Sequence, residues 1–402
     1  MSGFIKDKIF MLDLHFVLAI LASEDAERWH DYSSIATKCA AAVSRGLAIS
    51  PASMDAKLES AFFADKADMK FVKNKYKKTF EAVVAKAENL NFTRMEWVLT
   101  DAWETFCFDV LPLCVNLKDL NLTLNSKLAV DIVELVAKLP PTLNELDLTG
   151  TGCYGEGAKA EWGRLPALEE ANLSGTNVTW DAAIEELVAV LPSTLKKLWL
   201  HKTECFGNGA RADWSRLSAL EEVDLRNTKV TGDIVELVSK LPVTIKKLDL
   251  HYTGCSGDSA KADWSRLPAL EVVGLRDTKV NGNIVELVER LPPSIKELGL
   301  EKIKFTGDGG KADWARLPAL ENVALRDTRT TGDIVELVGK LPPTLKGLRL
   351  EKTGCFGDSG KAEWARLPAL GIVNLRGTKV TGSDAEVKAA GCKACIIYTP
   401  TP

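Results

Sequence analysis

A short apolar couplet recurs along most of this chain, and its spacing constrains the fold more than any other feature. The pairs are Leu120/Leu122, Leu146/Leu148, Ala171/Leu173, Leu198/Leu200, Val223/Leu225, Leu248/Leu250, Val273/Leu275, Leu298/Leu300, Val323/Leu325, Leu348/Leu350 and Val373/Leu375. Successive pairs lie 25 residues apart, apart from intervals of 26 and 27 near the start. Alternation within each pair predicts a strand with one buried face. A unit this short cannot bury that face alone, whereas stacked units share one continuous core. Length then measures reach, and the two or three compact domains that 402 residues would suggest give way to a repeat array.

Each couplet sits in Leu-x-x-Leu-x-Leu-x-x-(Thr or Asn)-x-(Cys or Val), as in Leu143, Leu146, Leu148, Thr151 and Cys153. The pattern resembles the leucine-rich-repeat family across residues 113–391. That resemblance implies an α/β solenoid of eleven repeats, with a parallel concave sheet and short convex helices. The repeats alternate between two types. One continues "TGCFGDSGKAEWARLPAL" from Thr353, the other "TKVTGDIVELVSKLP" from Thr228, and the Thr-Gly-x-Ile of the second is similar to the plant-type subclass. The family's Asn is mostly Thr here, with Asn125 the match in the first repeat. A Thr hydroxyl still satisfies turn backbone, with fewer hydrogen bonds than Asn.

In the second type, Ile234, Leu237, Val238 and Leu241 have the spacing of an inward-packed helix. Asp233 and Lys240 suit its dipole, Glu236 and Lys240 form an expected surface pair, and Leu241-Pro242 stops it. Ser383-Asp384-Ala385-Glu386 reads as a capping box, Gly391 as a helix stop, and 395–398 as a last edge strand. Three regions follow: an α-helical N-terminal capping domain over 1–112, the solenoid over 113–391, and a C-terminal cap strand and tail over 392–402. Helical runs are expected at 5–22, 24–46, 54–88 and 94–110.

The chain carries 51 basic and 55 acidic side chains, a net charge of −4, which supplies no general attraction to nucleic acid. No stretch is long and apolar enough to span a membrane. Ile9 to Leu21 loosely imitates a secretory signal, but Asp13 and His15 suit a packed helix better. Nine cysteines show no framework of pairs, which favours the cytoplasm or another reducing compartment over secretion. Cys153, Cys205, Cys255 and Cys355 recur two strands apart, too far to bridge, and read as buried thiols, with Ile303 and Phe305 replacing Thr and Cys in one repeat. Cys392-Lys-Ala-Cys395 lacks the second pair of a zinc site and follows a helix rather than opening one.

Trp162, Trp214, Trp264, Trp314 and Trp364 recur in a Trp-x-Arg-Leu context and read as a packing ladder, with a convex docking stripe as the alternative. Gly307 to Lys311 and Gly357 to Lys361 lack phosphate-loop spacing. Charges alternate down two columns of the strands: Lys196, Glu221, Lys246, Glu271, Lys296, Glu321, Lys346, and Arg276, Glu301, Arg326, Glu351, Arg376. Both columns are expected to pair internally and to set register.

The exception is Trp199, at an outward strand position where other repeats have Asp, Asn, Gly or Ala. The candidate partner-binding set is Trp199, His201, Asp224, Arg226, Asp249, His251 and Tyr252, whose aromatic and Arg content is that of an interface hot spot. His201 and His251, two strands and so about 10 Å apart, cannot share a metal ion. Lys66, Lys70, Lys73, Lys75, Lys77 and Lys78 form a basic segment that would suit an acidic partner, and Leu14 to Val43 is faintly similar to an F-box. No catalytic set, metal site or cofactor motif stands out. The sequence therefore points to a non-enzymatic scaffold binding another protein on its concave face. The alternatives are an F-box-like substrate receptor of a ubiquitin ligase and a structural subunit of a larger assembly.

Overall fold

The computed structural model describes residues 88–91, 93, 111–179, 183–394 and 396–399. The signal-like stretch, the F-box-like stretch, the lysine-rich segment and nearly all of the expected N-terminal helices lie outside them, as does Cys395. Among the described residues, thirteen strands form one parallel sheet in chain order. Eleven of them hold the first residue of an apolar couplet at their centre, with the second just beyond the strand. A twelfth, Ile396–Tyr398, is the expected last edge strand. The remaining one, Asn89–Asn91, pairs with Asp119–Asn121 and falls inside the span expected to be helical cap.

The described residues fall into two compact units, those up to 154 with 160–170, and 155–159 with those from 171 onward. In the first, Leu120, Leu122, Leu146 and Leu148 are buried together with Ile132, Leu135 and Val136 of the helix Ile132–Lys138. Asp131 caps that helix by accepting from the Val133 amide at 2.8 Å. Asn125, buried, donates from Nδ2 to the Leu122 carbonyl at 2.6 Å.

The second unit repeats this plan. Helices Ile184–Val190, Ile234–Lys240, Ile284–Arg290 and Ile334–Lys340 recur at every other strand and bury the same apolar face. Asp233, Asn283 and Asp333 are their N-caps where a capping side chain exists. The Lys240 ammonium donates to the Ala210 carbonyl, correcting the expected pairing with Glu236: a part-buried backbone carbonyl is favoured over a surface ion pair, which contributes little.

Between the helices, short turns such as Trp264–Arg266 hold the tryptophans. All five rings are fully buried, so the docking-stripe alternative is excluded. Trp214, Trp264, Trp314 and Trp364 donate from Nε1 to the carbonyls of Gly209, Ser259, Gly309 and Ser359 at 2.7–2.9 Å. The arginine of the same motif reaches the C-terminal end of the preceding helix. Arg266, for instance, donates to the Val238 and Leu241 carbonyls at 2.6 and 3.0 Å. The motif thus joins a large apolar filler to a cation that satisfies helix-end carbonyls.

The Thr column does the work of the family's Asn at its main contact. Thr203, Thr228, Thr253 and Thr353 each donate from Oγ1 to the carbonyl three residues earlier at 2.7 Å. The cysteines of the next inward position, Cys153, Cys205, Cys255 and Cys355, are buried, unbridged thiols, and Phe305 fills the same place. Beyond them, where turns or short helices were expected, Phe206–Asn208, Lys229–Asp233, Gly254–Asp258, Lys279–Asn283 and Lys304–Thr306 pair as a second parallel sheet. The Gly307 and Gly357 segments close on themselves, since Asp308 and Asp358 accept from the Gly310 and Gly360 amides at 3.0 Å.

At the C-terminal end, Ser383 and Glu386 form the expected capping box of the helix Asp384–Ala389. Gly391 follows it at φ +92°, a left-handed position that suits glycine. Cys392 is buried and burial raises its thiol pKa, the opposite of an activated redox cysteine.

Candidate functional site

Parallel register brings the seven candidate residues together on the sheet face opposite the core. Trp199, Asp224, Asp249 and Gly274 occupy one row on successive strands. Two residues further along each strand come His201, Arg226 and His251, followed by Arg276 and Glu301. Tyr252 belongs to the next position, where the backbone turns left-handed at φ +58°.

The row is less open than its sequence implies. Trp199 is half-buried, with the Lys197 ammonium 5.5 Å from its ring centre. Asp224 and Asp249, expected to face a partner, are instead buried, with side chains 4% and 8% exposed. The physical reason is the length of Arg226, which lies across both. Its Nη2 is 2.6 Å from Asp224 Oδ2 and its Nε 3.3 Å from Asp249 Oδ2. One guanidinium therefore serves two buried carboxylates. His201 Nδ1 lies 3.8 Å from Asp224, and His251 Nδ1 lies 3.2 Å from Asp249 Oδ1.

Burial raises the Asp249 carboxyl to about 6, and the neighbouring Asp224 charge adds to the shift against the opposing pull of Arg226. Burial lowers both imidazoles. For His251 this outweighs the nearby carboxylates, because Arg226 and Arg276 also disfavour a second positive charge. His251 Nδ1 faces Asp249 without the alignment of a hydrogen bond, the His251 backbone amide donating to Asp249 Oδ1 at 3.3 Å instead, and Nε2 is buried without a hydrogen-bond partner. The ring extends over Gly274, where an added Cβ would meet Nε2 at 2.7 Å and Asp249 Oδ1 at 2.9 Å. A side chain there would require the His251 ring or the Asp249 carboxylate to shift.

Tyr252 is the most open member, 39% exposed, with the Arg276 guanidinium 5.2 Å from its ring centre. That contact corrects one expected charge ladder. The Lys/Glu column pairs as expected, Lys246–Glu221 at 2.7 Å, Lys296–Glu271 at 2.8 Å and Lys346–Glu321 at 2.7 Å. Among the described residues, no ion pair joins Arg276, Glu301, Arg326, Glu351 and Arg376. Arg276 and Arg376 lie over the rings of Tyr252 and Tyr398, and Asn374 donates to Glu351. The guanidinium planes lie against aromatic faces, while Glu301 and Glu351 each keep one buried carboxylate oxygen without a hydrogen-bond partner.

Lys197, Arg276 and Glu301 thus join the site. Lys197 was recognisable from strand alternation, since it lies two residues before Trp199. Arg276 was hidden by its place in an alternating charge series.

No family model matches the chain, and no curated protein is similar to it in sequence. Solved structures do share its fold. An internalin from Listeria monocytogenes superposes with a TM-score of 0.54 at 16% identity, covering 80% of this chain and 84% of that one. An LRR protein from Leptospira interrogans gives 0.53 at 20% identity, covering 71% and 73%. The plant peptide hormone receptor RGFR1, solved in complex with RGF2, gives 0.56 at 18% identity, covering 72% of this chain but 44% of the receptor structure. The chain therefore spans less than half of that structure.

Proposed function

We propose that this chain, a leucine-rich-repeat fold, is a non-enzymatic interaction scaffold that binds another protein on the outward face of its sheet, with Trp199 and Tyr252 as anchors. The observation that carries this reading is the contrast along that face. Its Lys and Glu side chains pair with one another, whereas Trp199 and Tyr252 present ring surface beside Lys197 and Arg276. Rigid aromatics beside cations are the residue types that dominate interface energies. A structure that shares this fold, the plant peptide hormone receptor RGFR1 in complex with RGF2, supports binding as a use of the fold.

Affinity capture with the full chain and its Trp199→Ala variant, compared by quantitative mass spectrometry, tests the anchor. A partner retained by the parent and by Lys261→Ala, a variant in an exposed turn, is expected to fall about tenfold with Trp199→Ala. Equal recovery by Trp199→Ala removes the patch from consideration. The unbridged thiols, with Cys205 pushed up to about 12 by burial, support residence in a reducing compartment.

A further inference from the structure

Two carboxylates buried beside one guanidinium leave one negative charge uncompensated within the cluster. Asp249 is the carboxylate less well served. Asp224 accepts from Arg226 through both oxygens, at 2.6–3.0 Å, whereas Asp249 meets only Nε at 3.3 Å. The groups facing Asp249 come from three strands. The preceding strand supplies Asp224 and Arg226, and its own strand supplies Lys247 and the His251 ring and amide. The following strand presents Gly274 and no charge. Beyond these, Arg276 and Glu301 act on His251, and His201, two strands back, is coupled to the Asp249 charge.

We propose that Asp249 is a proton-operated element that resets the charge of the Trp199–Tyr252 face and releases Arg226 from its double clamp in mildly acidic solution. This rests on the reading of that face as a binding surface, but its mechanism is internal to the chain. With both carboxylates ionised and both imidazoles neutral, Asp224, Asp249 and Arg226 sum to one net negative charge. A proton on Asp249 brings the cluster to neutrality, and Arg226 then remains bound to Asp224 alone. Protons on His251 and His201, which burial disfavours, would add positive charge to the same cluster. Anionic groups are therefore admitted more readily at lower pH. Burial of Asp249, which raises its pKa to about 6, sets where the change falls.

The test uses carbon-13 and nitrogen-15 labelled full-length chain and needs no partner, so its outcome is independent of Trp199→Ala capture. The Asp249 carboxyl carbon should titrate near pH 6, well above the ordinary carboxylate range, with the Arg226 Nε–H resonance moving at the same midpoint. In Asp249→Asn, Arg226 Nε–H at pH 7.5 should match the parent at pH 5 and no longer move. An Asp249 midpoint below 5 overturns the proposal. So does an Arg226 resonance that is indifferent to pH between 5 and 7.5, and both are read in the parent chain even if the variant folds poorly.

Discussion

Single side chains in this fold act mainly on the backbone next to them. Thr228 donates to the Leu225 carbonyl at 2.7 Å in a buried turn, so Thr228→Val removes the donor and leaves a buried acceptor unpaired. The expected cost is about 1–3 kcal/mol, read as a lower denaturation midpoint at unchanged slope. Tyr252 holds φ +58°, a conformation that bulky residues enter at a cost, while Asn227 holds the equivalent place in the preceding repeat. Tyr252→Asn should therefore leave stability within about 0.5 kcal/mol while weakening partner capture. A large loss of stability would mean that the ring serves packing.

Asp249 gives a pH dependence whose sign is unusual for an aspartate beside an arginine. Its folded pKa, about 6, lies above the ordinary value of 3.8, so between those limits the folded chain holds more protons than the unfolded one. Stability at this site falls as pH rises through that window, by about 1–3 kcal/mol, and the loss is complete above it. Asp249→Asn is expected to melt higher than the parent at pH 7.5 and alike at pH 4. A variant that melts lower at both values would show that the ionised carboxylate is a net stabiliser.

At the scale of elements, the Trp-x-Arg turn and the seven-residue helix it supports form one unit. The helix is too short to persist alone and relies on tertiary packing and its caps. Trp264 supplies packing and an Nε1 bond to the Ser259 carbonyl, while Arg266 takes two carbonyls at the end of Ile234–Lys240. Trp264→Leu should cost about 3–5 kcal/mol, mostly from the cavity. Arg266→Met, which keeps the stem, should cost about 1–2 kcal/mol. Chemical denaturation of the two variants separates these contributions, and equal losses would assign the motif to packing alone.

Taken as a molecule, the second unit is a stack in which each interior strand has a neighbour on both sides, while Ile396–Tyr398 pairs only with Ile372–Asn374 among the described residues. Opening a terminal strand breaks one interface and opening an interior strand breaks two. Amide exchange should therefore be at least about tenfold faster across Ile396–Tyr398 than across Lys247–Asp249 or Val272–Gly274. Uniform protection would mean that the stack opens as a single unit.

The couplets, the inward helix faces, the Thr column, the buried Trp series and the capping box at Ser383 were all determined by sequence. Each depends on local geometry or on a period repeated many times, so neighbouring copies impose the same environment. The strand at Asn89–Asn91 was not legible, because one copy without a flanking repeat carries no period. Tertiary structure alone decided the partners of long, flexible cations. Lys240 turned to Ala210, Arg276 to the Tyr252 ring, and Arg226 across two aspartates, which buried Asp224 and Asp249 and gave the candidate face its charge. A side chain with four rotatable bonds reaches several partners of similar energy, and desolvation by its three-dimensional neighbours selects among them.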